Sequence, residues 1–201
     1  MSCGEIPIRD PRGGIRANRR CRFSIICALT SCFIYTKVGV AYTLINVKRR
    51  GVQKMSEILF YRVREPYGEF SNFSPHPIKV KGKTWPTSEH YFQAQKFAGT
   101  EYEEEIRRAK SPMMAARLGR SRKEPLRKDW ESAKETIMRE VLHSKFTQHP
   151  ALRSLLLSTG DETIVEHTEN DNYWGDGGDG SGRNRLGVLL MELREKLRTE
   201  K

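Results

Sequence analysis

Cysteine is missing from most of this chain, since all four cysteines precede Met55: Cys3, Cys21, Cys27 and Cys32. Residues 55–201 therefore cannot hold a disulfide framework or a cysteine-ligated zinc site. None of the five histidines stands in an HExxH or similar ligand spacing, and the aspartates of the segment 171–179 do not fit a calcium-binding loop. The sequence predicts no metal and no other cofactor.

Acidic residues are scarce in the first 54 positions. This segment contains eleven Lys or Arg and two acids, so it carries +9 of the net charge of +11 and leaves +2 for residues 55–201. The basic character that would indicate a nucleic-acid partner therefore belongs to the N-terminal extension. The rest of the chain gives no strong electrostatic indication of a polyanion partner.

The extension, residues 1–54, allows three interpretations. Residues 23–47 are long enough for a transmembrane helix, but Lys37 lies near their middle. A basic start followed by an apolar stretch is also typical of a signal peptide, although no clean small-residue cleavage pattern follows. The interpretation that we favour is a biological start at Met55, with the extension outside the fold. We accordingly expect a cytoplasmic protein, without membrane contact unless the extension is made in the cell.

From Met55 onward the pattern is that of one α+β domain, mainly helical with a few short strands. Strands are predicted at 58–61, 78–80 and 164–167. Helices are predicted at 87–97, 102–109, 112–118, 129–149 and 186–197. Their expected N-caps include Thr87, Ser111 and Asp129, and Pro150 is expected to end or break the longest helix. The glycine-rich segment 175–182 is predicted to be a loop.

Three polar residues of the helix 87–97 fall on one face. Glu89, Gln93 and Lys96 are spaced at i, i+4 and i+7. Seven helical residues span roughly 10 Å along the axis. Two long side chains can bridge this distance, so a carboxylate and an amine at this spacing can converge on one ligand. Ordinary surface helices show the same pattern, so a solvated polar stripe is the alternative interpretation.

Several aromatic residues could form a slot in which a planar base stacks. They are Phe73, Trp85, Tyr91, Phe92, Trp130, Tyr173 and Trp174. Phe92 and Trp130 lie in apolar helical stripes, which favours core positions. Trp174 lies in a polar loop where no periodic face explains it, and loop aromatics more readily indicate function.

The segment 176–185, DGGDGSGRNR, leads directly into the last helix. Backbone amides, a helix N-terminus, Arg183 and Arg185 could therefore meet one anion. Neither GxGxxG nor the terminal Lys and Ser or Thr of a P-loop is present in this segment. A bare turn is the alternative interpretation.

Four segments together resemble the YbiA-like, or NADAR, family over residues 55–201. They are SNFSPHPIKVKGKTWPTSEHYFQAQKF (71–97), SPMMAARLGR (111–120), PLRKDWESAKETIMREVLHSKF (125–146) and EHTENDNYWGDGGDGSGRNRLG (166–187). The resemblance implies an N-glycosidase that acts on phosphoribosylaminopyrimidine intermediates of riboflavin biosynthesis and releases ribose 5-phosphate and a free pyrimidine. Other branches of the family are implicated in removing ADP-ribose from guanine.

The resemblance also implies roles for individual residues. Glu89, in the SEH segment, would stabilise an oxocarbenium ion or activate water, and Lys96, at the end of the same motif, could instead form a Schiff base with the opened ribose. The expected substrate-binding residues are Asn72, Phe73, Trp85, Gln93, Trp130, Asn172, Trp174, Arg183 and Arg185. Among these, the aromatic residues would be walls for the base and the two arginines would be phosphate ligands.

Two rival functions stay open at this point. One is an ADP-ribosyl-guanine glycohydrolase acting on modified nucleic acid, and the other is a module that only binds ADP-ribose or a nucleotide. A module that merely binds would not need Glu89 and Lys96 on one helical face. The shared face therefore favours a hydrolase, and the resemblance implies a small phosphoribosyl-aminopyrimidine substrate.

Overall fold

The computed structural model of the protein describes residues 56–121 and 123–200. The three interpretations of residues 1–54 lie outside the described residues. Within the part of the chain that is described, no helix combines the length and the apolar character that crossing a bilayer requires.

The architecture is α+β, mainly helical with short strands, as predicted. The elements follow one another as β1 (Glu57–Phe60), a 3-10 turn (Gly68–Phe70), β2 (Ile78–Val80), β3 (Lys83–Trp85), α1 (Ser88–Ala94) with a 3-10 turn (Gln95–Phe97), α2 (Glu101–Arg107), α3 (Pro112–Gly119), α4 (Trp130–Gln148), α5 (Pro150–Ser158), β4 (Thr163–Glu166) and α6 (Arg185–Thr199).

The four strands form two small sheets. β1 and β4 pair in parallel, with Ile58 opposite Ile164, so the first and last strands of the domain lie side by side. β2 and β3 form an antiparallel hairpin. Its turn contains Lys81 at φ 51° and Gly82 at φ 76°, and two central residues with positive φ are typical of the type I′ turn that suits a two-residue hairpin.

The core lies around α4 and α6, the two long helices. α4 contacts α1, α5, α6 and β2, whereas α6 also covers β4. The predicted leucine face of α6 is confirmed, and all its members are buried: Leu186, Leu189, Leu190, Leu193 and Leu197. Since full burial of one leucine stabilises a fold by about 1.5 to 3 kcal/mol relative to its exposure, this face anchors the C-terminal helix firmly.

Two of the three predicted N-cap side chains form the expected capping hydrogen bond. The side chains of Thr87 and Ser111 accept N–H groups of α1 and α3, as predicted. Asp129 occupies the N-cap position of α4, but its side chain makes no capping bond. Its two carboxylate oxygens instead accept hydrogen bonds of 2.6 and 2.8 Å from Arg127. The predicted cap at Asp129 is therefore wrong in its bonding.

Two elements are absent from the sequence-based prediction. Pro150 was expected only to end or break the long helix, yet it also begins α5, since proline is well suited to the first turn of a helix. β3 follows the predicted turn at residues 81–83 and pairs with β2. Both omissions concern short elements whose partners lie close by in the chain.

Candidate active site

Helix α1 is buried along its whole length, in contact with α2, α3 and α4. The chain before the helix is fixed as well, because the carbonyl oxygen of Asn72 accepts the backbone N–H of Glu89 at 3.0 Å. The alternative interpretation of a solvated polar stripe on a surface helix is therefore wrong. Burying polar side chains costs free energy, so their retention here points to function.

The Glu89 carboxylate lies inside the protein, with the residue 6% exposed. Its Oε1 accepts a hydrogen bond of 2.8 Å from Nε2 of Gln93, one helical turn later. Burial raises the pKa of Glu89, while the Gln93 bond and the charge of Lys96 oppose that rise. The other amide atom of Gln93, Oε1, is buried without a hydrogen-bond partner among the described residues.

Lys96 lies in the 3-10 turn that continues α1 and is partly buried. Its Nζ donates a hydrogen bond of 3.1 Å to the carbonyl oxygen of Gly119 and lies 5.4 Å from the ring centroid of Trp130. Burial lowers the pKa of Lys96, and the charge of Glu89 opposes this effect. The structure thus brings the predicted carboxylate and amine into one charged cluster.

Gly119, the last residue of α3, contacts both members of this pair. Its carbonyl accepts from Lys96. A Cβ atom at this position would overlap the side chain of Gln93, which holds Glu89. The close approach of α3 to α1 therefore depends on the absence of a side chain at Gly119.

Two further carboxylates lie close enough for their charges to affect this site. Glu166 ends β4, and burial, reinforced by the charges of Asp171, Glu89 and Asp176, raises the pKa of Glu166 to about 8. Asp171 receives the backbone N–H groups of Tyr173 and Trp174 at 2.8 and 2.7 Å, which shapes the loop after β4. The raised pKa favours the protonated form of Glu166, a form that can donate a proton.

Two of the predicted aromatic walls come together. Phe92 contacts the ring of Trp130 at 5.2 Å and the ring of Trp174 at 5.4 Å between centroids. Trp130 is a core residue, whereas Trp174 is only partly buried. Trp85 is 1% exposed and packs against Tyr91 instead. The prediction that Trp85 forms a wall for the base is therefore wrong, because its indole fills the core and offers no free face.

The predicted hydrogen-bonding asparagines have different surroundings. Asn72 is buried, its Nδ2 lies 3.5 Å from the sulfur of Met138, and its Oδ1 has no partner among the described residues. Phe73, which follows it, is partly buried. Asn172 is exposed in the loop after β4, and its backbone carbonyl accepts the N–H of Arg183 at 2.8 Å. Of the two asparagines, only Asn72 therefore has a buried side-chain oxygen without a hydrogen-bond partner among the described residues.

The two arginines predicted as phosphate ligands differ in how the fold holds them. Arg185 binds Glu135 through two hydrogen bonds of 2.8 Å, and this pairing lowers the pKa of Glu135 to about 2. The guanidinium of Arg183 lies 5.5 Å from the ring centroid of Tyr173 on the exposed loop. For Arg185, two of the guanidinium N–H groups are therefore already used within the fold.

A cavity of about 470 Å³ opens beside Lys96 and Gly119. Its wall also includes Arg120 and Glu124 from the segment that follows α3. Concave sites of this size commonly hold small ligands. Within the described ranges, no three His, Cys, Asp or Glu side chains are grouped to hold a metal ion, and the absence of a metal from the reaction stays a prediction.

Residues 59–198 match the family model of the NADAR domain. This chain belongs to the NADAR domain family. It is 66% identical over 144 residues to N-glycosidase YbiA of Escherichia coli, which covers 72% of this chain and 90% of that protein. A riboflavin biosynthesis protein of Vibrio vulnificus is 42% identical over 158 residues, covering 79% of this chain and 43% of its own length.

The fold of this NADAR domain agrees with an experimental structure. The NMR structure of the E. coli protein YbiA superposes with a TM-score of 0.69 at 62% sequence identity, covering 76% of this chain and 91% of that one. The family resemblance and the α+β fold predicted from the sequence are thereby confirmed.

Sequence reasoning missed three residues of this NADAR site: Gly119, Arg120 and Glu166. Gly119 was read as part of a motif near the end of a helix, where glycine is common. Glu166 ends a predicted strand with no periodic feature to distinguish it. Gly119 and Arg120 come near α1 through the packing of α3 against it, and Glu166 through the effect of the Glu89 charge on its pKa, so spacing along the chain carries no signal for them.

Proposed function

We propose that this protein hydrolyses the N-glycosidic bond of phosphoribosylaminopyrimidines, intermediates of riboflavin biosynthesis, and releases ribose 5-phosphate and the free aminopyrimidine. The activity is placed in residues 55–201. The observation that carries the proposal is the buried carboxylate of Glu89, held by Gln93 and accompanied by Lys96 at the edge of a cavity. Removal of such a reactive metabolite would prevent damage to other molecules.

The reaction class is that of a hydrolase acting on N-glycosidic bonds. N-glycosidase YbiA is 66% identical to this chain over 90% of its own length, which supports the same class here. The riboflavin biosynthesis protein of V. vulnificus shares the domain at 42% identity and supports a small-molecule substrate connected with riboflavin. The roles of individual residues follow from the chemistry of the bond.

Breaking the bond between C1′ of ribose and nitrogen develops positive charge on the sugar. An ionised Glu89 close to C1′ stabilises this oxocarbenium ion and orients the water that adds to it. The departing nitrogen needs a proton, and Glu166, whose pKa is raised to about 8, can supply it at neutral pH. Water adds its oxygen to C1′ and loses one proton, which returns Glu166 to its acid form, directly or through solvent, and the products are the free base and ribose 5-phosphate.

Lys96 provides a second route to the same products. Burial lowers the pKa of Lys96, which increases the fraction of the neutral, nucleophilic amine. Attack of Nζ on C1′ expels the protonated aminopyrimidine, and ring opening leaves a Schiff base between the lysine and ribose. Water then hydrolyses the Schiff base, which frees ribose 5-phosphate and regenerates the amine. Reduction with borohydride during turnover, followed by mass spectrometry of the peptide that contains Lys96, distinguishes the two routes.

The decisive test of the carboxylate is Glu89→Gln, which keeps the shape of the side chain and removes its charge. We expect kcat on a phosphoribosylaminopyrimidine to fall at least about a hundredfold, because general acid and base groups commonly contribute 10² to 10⁴. The release of free pyrimidine measures it, with ADP-ribosylated DNA assayed in parallel as the rival substrate.

Glu105→Gln is the matched control for this test. Glu105 is exposed on α2 and makes no hydrogen bond or ion pair with the described residues, so its replacement should leave turnover unchanged. A loss smaller than tenfold in Glu89→Gln would remove Glu89 from the mechanism. Activity of the wild-type chain on ADP-ribosylated DNA alone would overturn the proposed substrate.

A further inference from the structure

Arg120 directly follows α3 and is exposed. Its backbone is fixed by a hydrogen bond of 3.1 Å from its N–H to the carbonyl of Ala116. Its guanidinium, by contrast, makes no hydrogen bond or ion pair with any residue that the structure describes. A charged group on a fixed backbone with all its donors unused is suited to binding a ligand.

The cavity next to α3 gives this guanidinium a place to act. Arg120 and Lys96 line the same space of about 470 Å³, in which Glu124 is the one acidic side chain among the lining residues. Burial lowers the pKa of Lys96, which disfavours the charged form of this amine. Arginine stays protonated under all ordinary conditions, which makes Arg120 the permanent cation of this wall.

The other candidate arginines do not line this cavity. Arg185 forms two hydrogen bonds with Glu135, and Arg183 lies over the ring of Tyr173 on the exposed loop after β4. Arg120 alone among these three shares a cavity wall with Lys96. Its positive charge also acts on both Glu89 and Lys96, which places it near the reacting groups.

We propose that Arg120 binds the phosphate group of the substrate in this cavity. The inference rests on the proposed function, since it takes Glu89 and Lys96 as the position of C1′. The substrate then lies with its phosphate toward the end of α3 and its base toward Trp130 and Trp174. A guanidinium matches this task, because its planar fork can donate two parallel hydrogen bonds to one phosphate.

Calorimetric titration of the full chain with ribose 5-phosphate, a product of the proposed reaction, tests the assignment without depending on turnover. Arg120→Gln removes the charge and should weaken the Kd for ribose 5-phosphate at least about tenfold, since charge-assisted bidentate pairs are among the stronger polar interactions. Unphosphorylated ribose should bind wild type and Arg120→Gln equally, because it has no partner for the guanidinium.

Arg117→Gln is the matched control, since Arg117 is exposed in the last turn of the same helix and does not line the cavity. It separates phosphate binding from a general effect of positive charge at a helix C-terminus. The assignment is overturned if Arg120→Gln keeps the wild-type Kd, if Arg117→Gln weakens it equally, or if wild type does not bind ribose 5-phosphate. Failure of the proposed hydrolysis is seen separately, as absence of released pyrimidine with wild type.

Discussion

Two lysines of this domain both have a lowered pKa but lie in very different surroundings. Burial lowers the pKa of both Lys96 and Lys145, in the latter to about 7. Lys96 lies at the edge of a cavity beside Glu89. Lys145 is 0% exposed on α4, and its Nζ donates to the carbonyls of Glu69 and Ser71 at 2.5 and 2.9 Å.

The difference shows that a perturbed pKa identifies a reactive amine only when a ligand can reach it. Titratable groups with shifted pKa values are enriched at active sites, but buried structural groups show the same shift. The ammonium of Lys145 replaces water for two backbone carbonyls, which must otherwise be satisfied. Lys96 has one carbonyl acceptor, at Gly119, and open space beside it.

Lys145 nevertheless influences the site through the backbone. It holds Ser71, the residue before Asn72, and the carbonyl of Asn72 receives the N–H of Glu89 at the start of α1. The segment 69–72 therefore links a structural lysine on α4 to the proposed catalytic carboxylate. This makes Lys145 a positioning residue, whereas Lys96 is proposed to touch substrate.

The largest effect is expected from replacing the accessible lysine. Lys96→Met retains the apolar stem and removes the amine, and on the Schiff-base route we expect kcat to fall at least about a hundredfold, or about 2.7 kcal/mol of transition-state stabilisation. The free energy of unfolding should change by less than about 1 kcal/mol, since one partly exposed hydrogen bond is lost. Turnover assays and urea unfolding give the two values. Retained turnover together with no borohydride-trapped adduct in wild type would exclude the Schiff base.

For Lys145→Met we expect the larger effect on stability and the smaller effect on turnover. Two buried carbonyls lose their donor, which should lower the free energy of unfolding by about 2 kcal/mol. The effect on kcat should be smaller than that of Lys96→Met, because Lys145 acts on Glu89 only indirectly, through the backbone of Ser71 and Asn72. Lys128→Met, an exposed lysine near the start of α4, is the control for loss of a positive charge and should leave stability unchanged.

The pH dependence of stability sharpens this second prediction. The folded pKa of Lys145 is about 7 and the ordinary value is 10.5. Between these values the unfolded chain binds more protons than the folded one, so the free energy of unfolding rises with pH. The contribution is complete above the ordinary value and is lost as pH falls toward 7. Lys145→Met should lack this rise between pH 7 and 9.5, and an equal rise in both proteins would contradict the assignment.

The features predictable from the sequence are those encoded by near neighbours. The caps at Thr87 and Ser111 are side-chain bonds to backbone groups three residues on, and the faces of α4 and α6 follow a 3.6-residue period. Glu89 and Gln93 share one face of α1 by the same period, and Gln93 binds Glu89. Lys96 departs from it, because the predicted helix 87–97 ends as an α-helix at Ala94 and continues as the 3-10 turn Gln95–Phe97. Local geometry thus accounts for the helices and for the position of Glu89.

The remaining features of the site depend on residues distant in the chain. Glu166 ends β4, whose parallel pairing with β1 no turn signal predicts, and the charge of Glu89 contributes to the raised pKa of Glu166. Trp85 belongs to the segment that resembles the family, yet its indole fills the core. The resemblance identifies the residue type at this position but does not indicate which residues pack against it. Gly119 and Arg120 meet α1 only because α3 folds back against it.

Gly119→Ala gives the smallest expected effect and tests whether Lys96 and Glu89 are positioned together. The added methyl group overlaps Gln93, so Gln93 must shift and weaken its hydrogen bond to Glu89. We expect kcat to fall about tenfold, equivalent to about 1.4 kcal/mol, although alanine favours a helix over glycine. Because the Gln93 bond lowers the pKa of Glu89, the acidic limb of the pH–rate profile should move to higher pH.

A double-mutant cycle with Gln93→Gly isolates this collision, because the Cβ of Gln93 as well as its amide lies within 2.7 Å of the added methyl group. Once the whole side chain at position 93 is removed, the methyl group at position 119 no longer meets it, so the second substitution should lower kcat by less than about twofold. Additive losses in the double variant would mean that Gly119 acts on turnover independently of Gln93. In that case the proximity of α3 would matter through the carbonyl that receives Lys96, and the accessible lysine, unlike Lys145, would depend on a single backbone acceptor for its position.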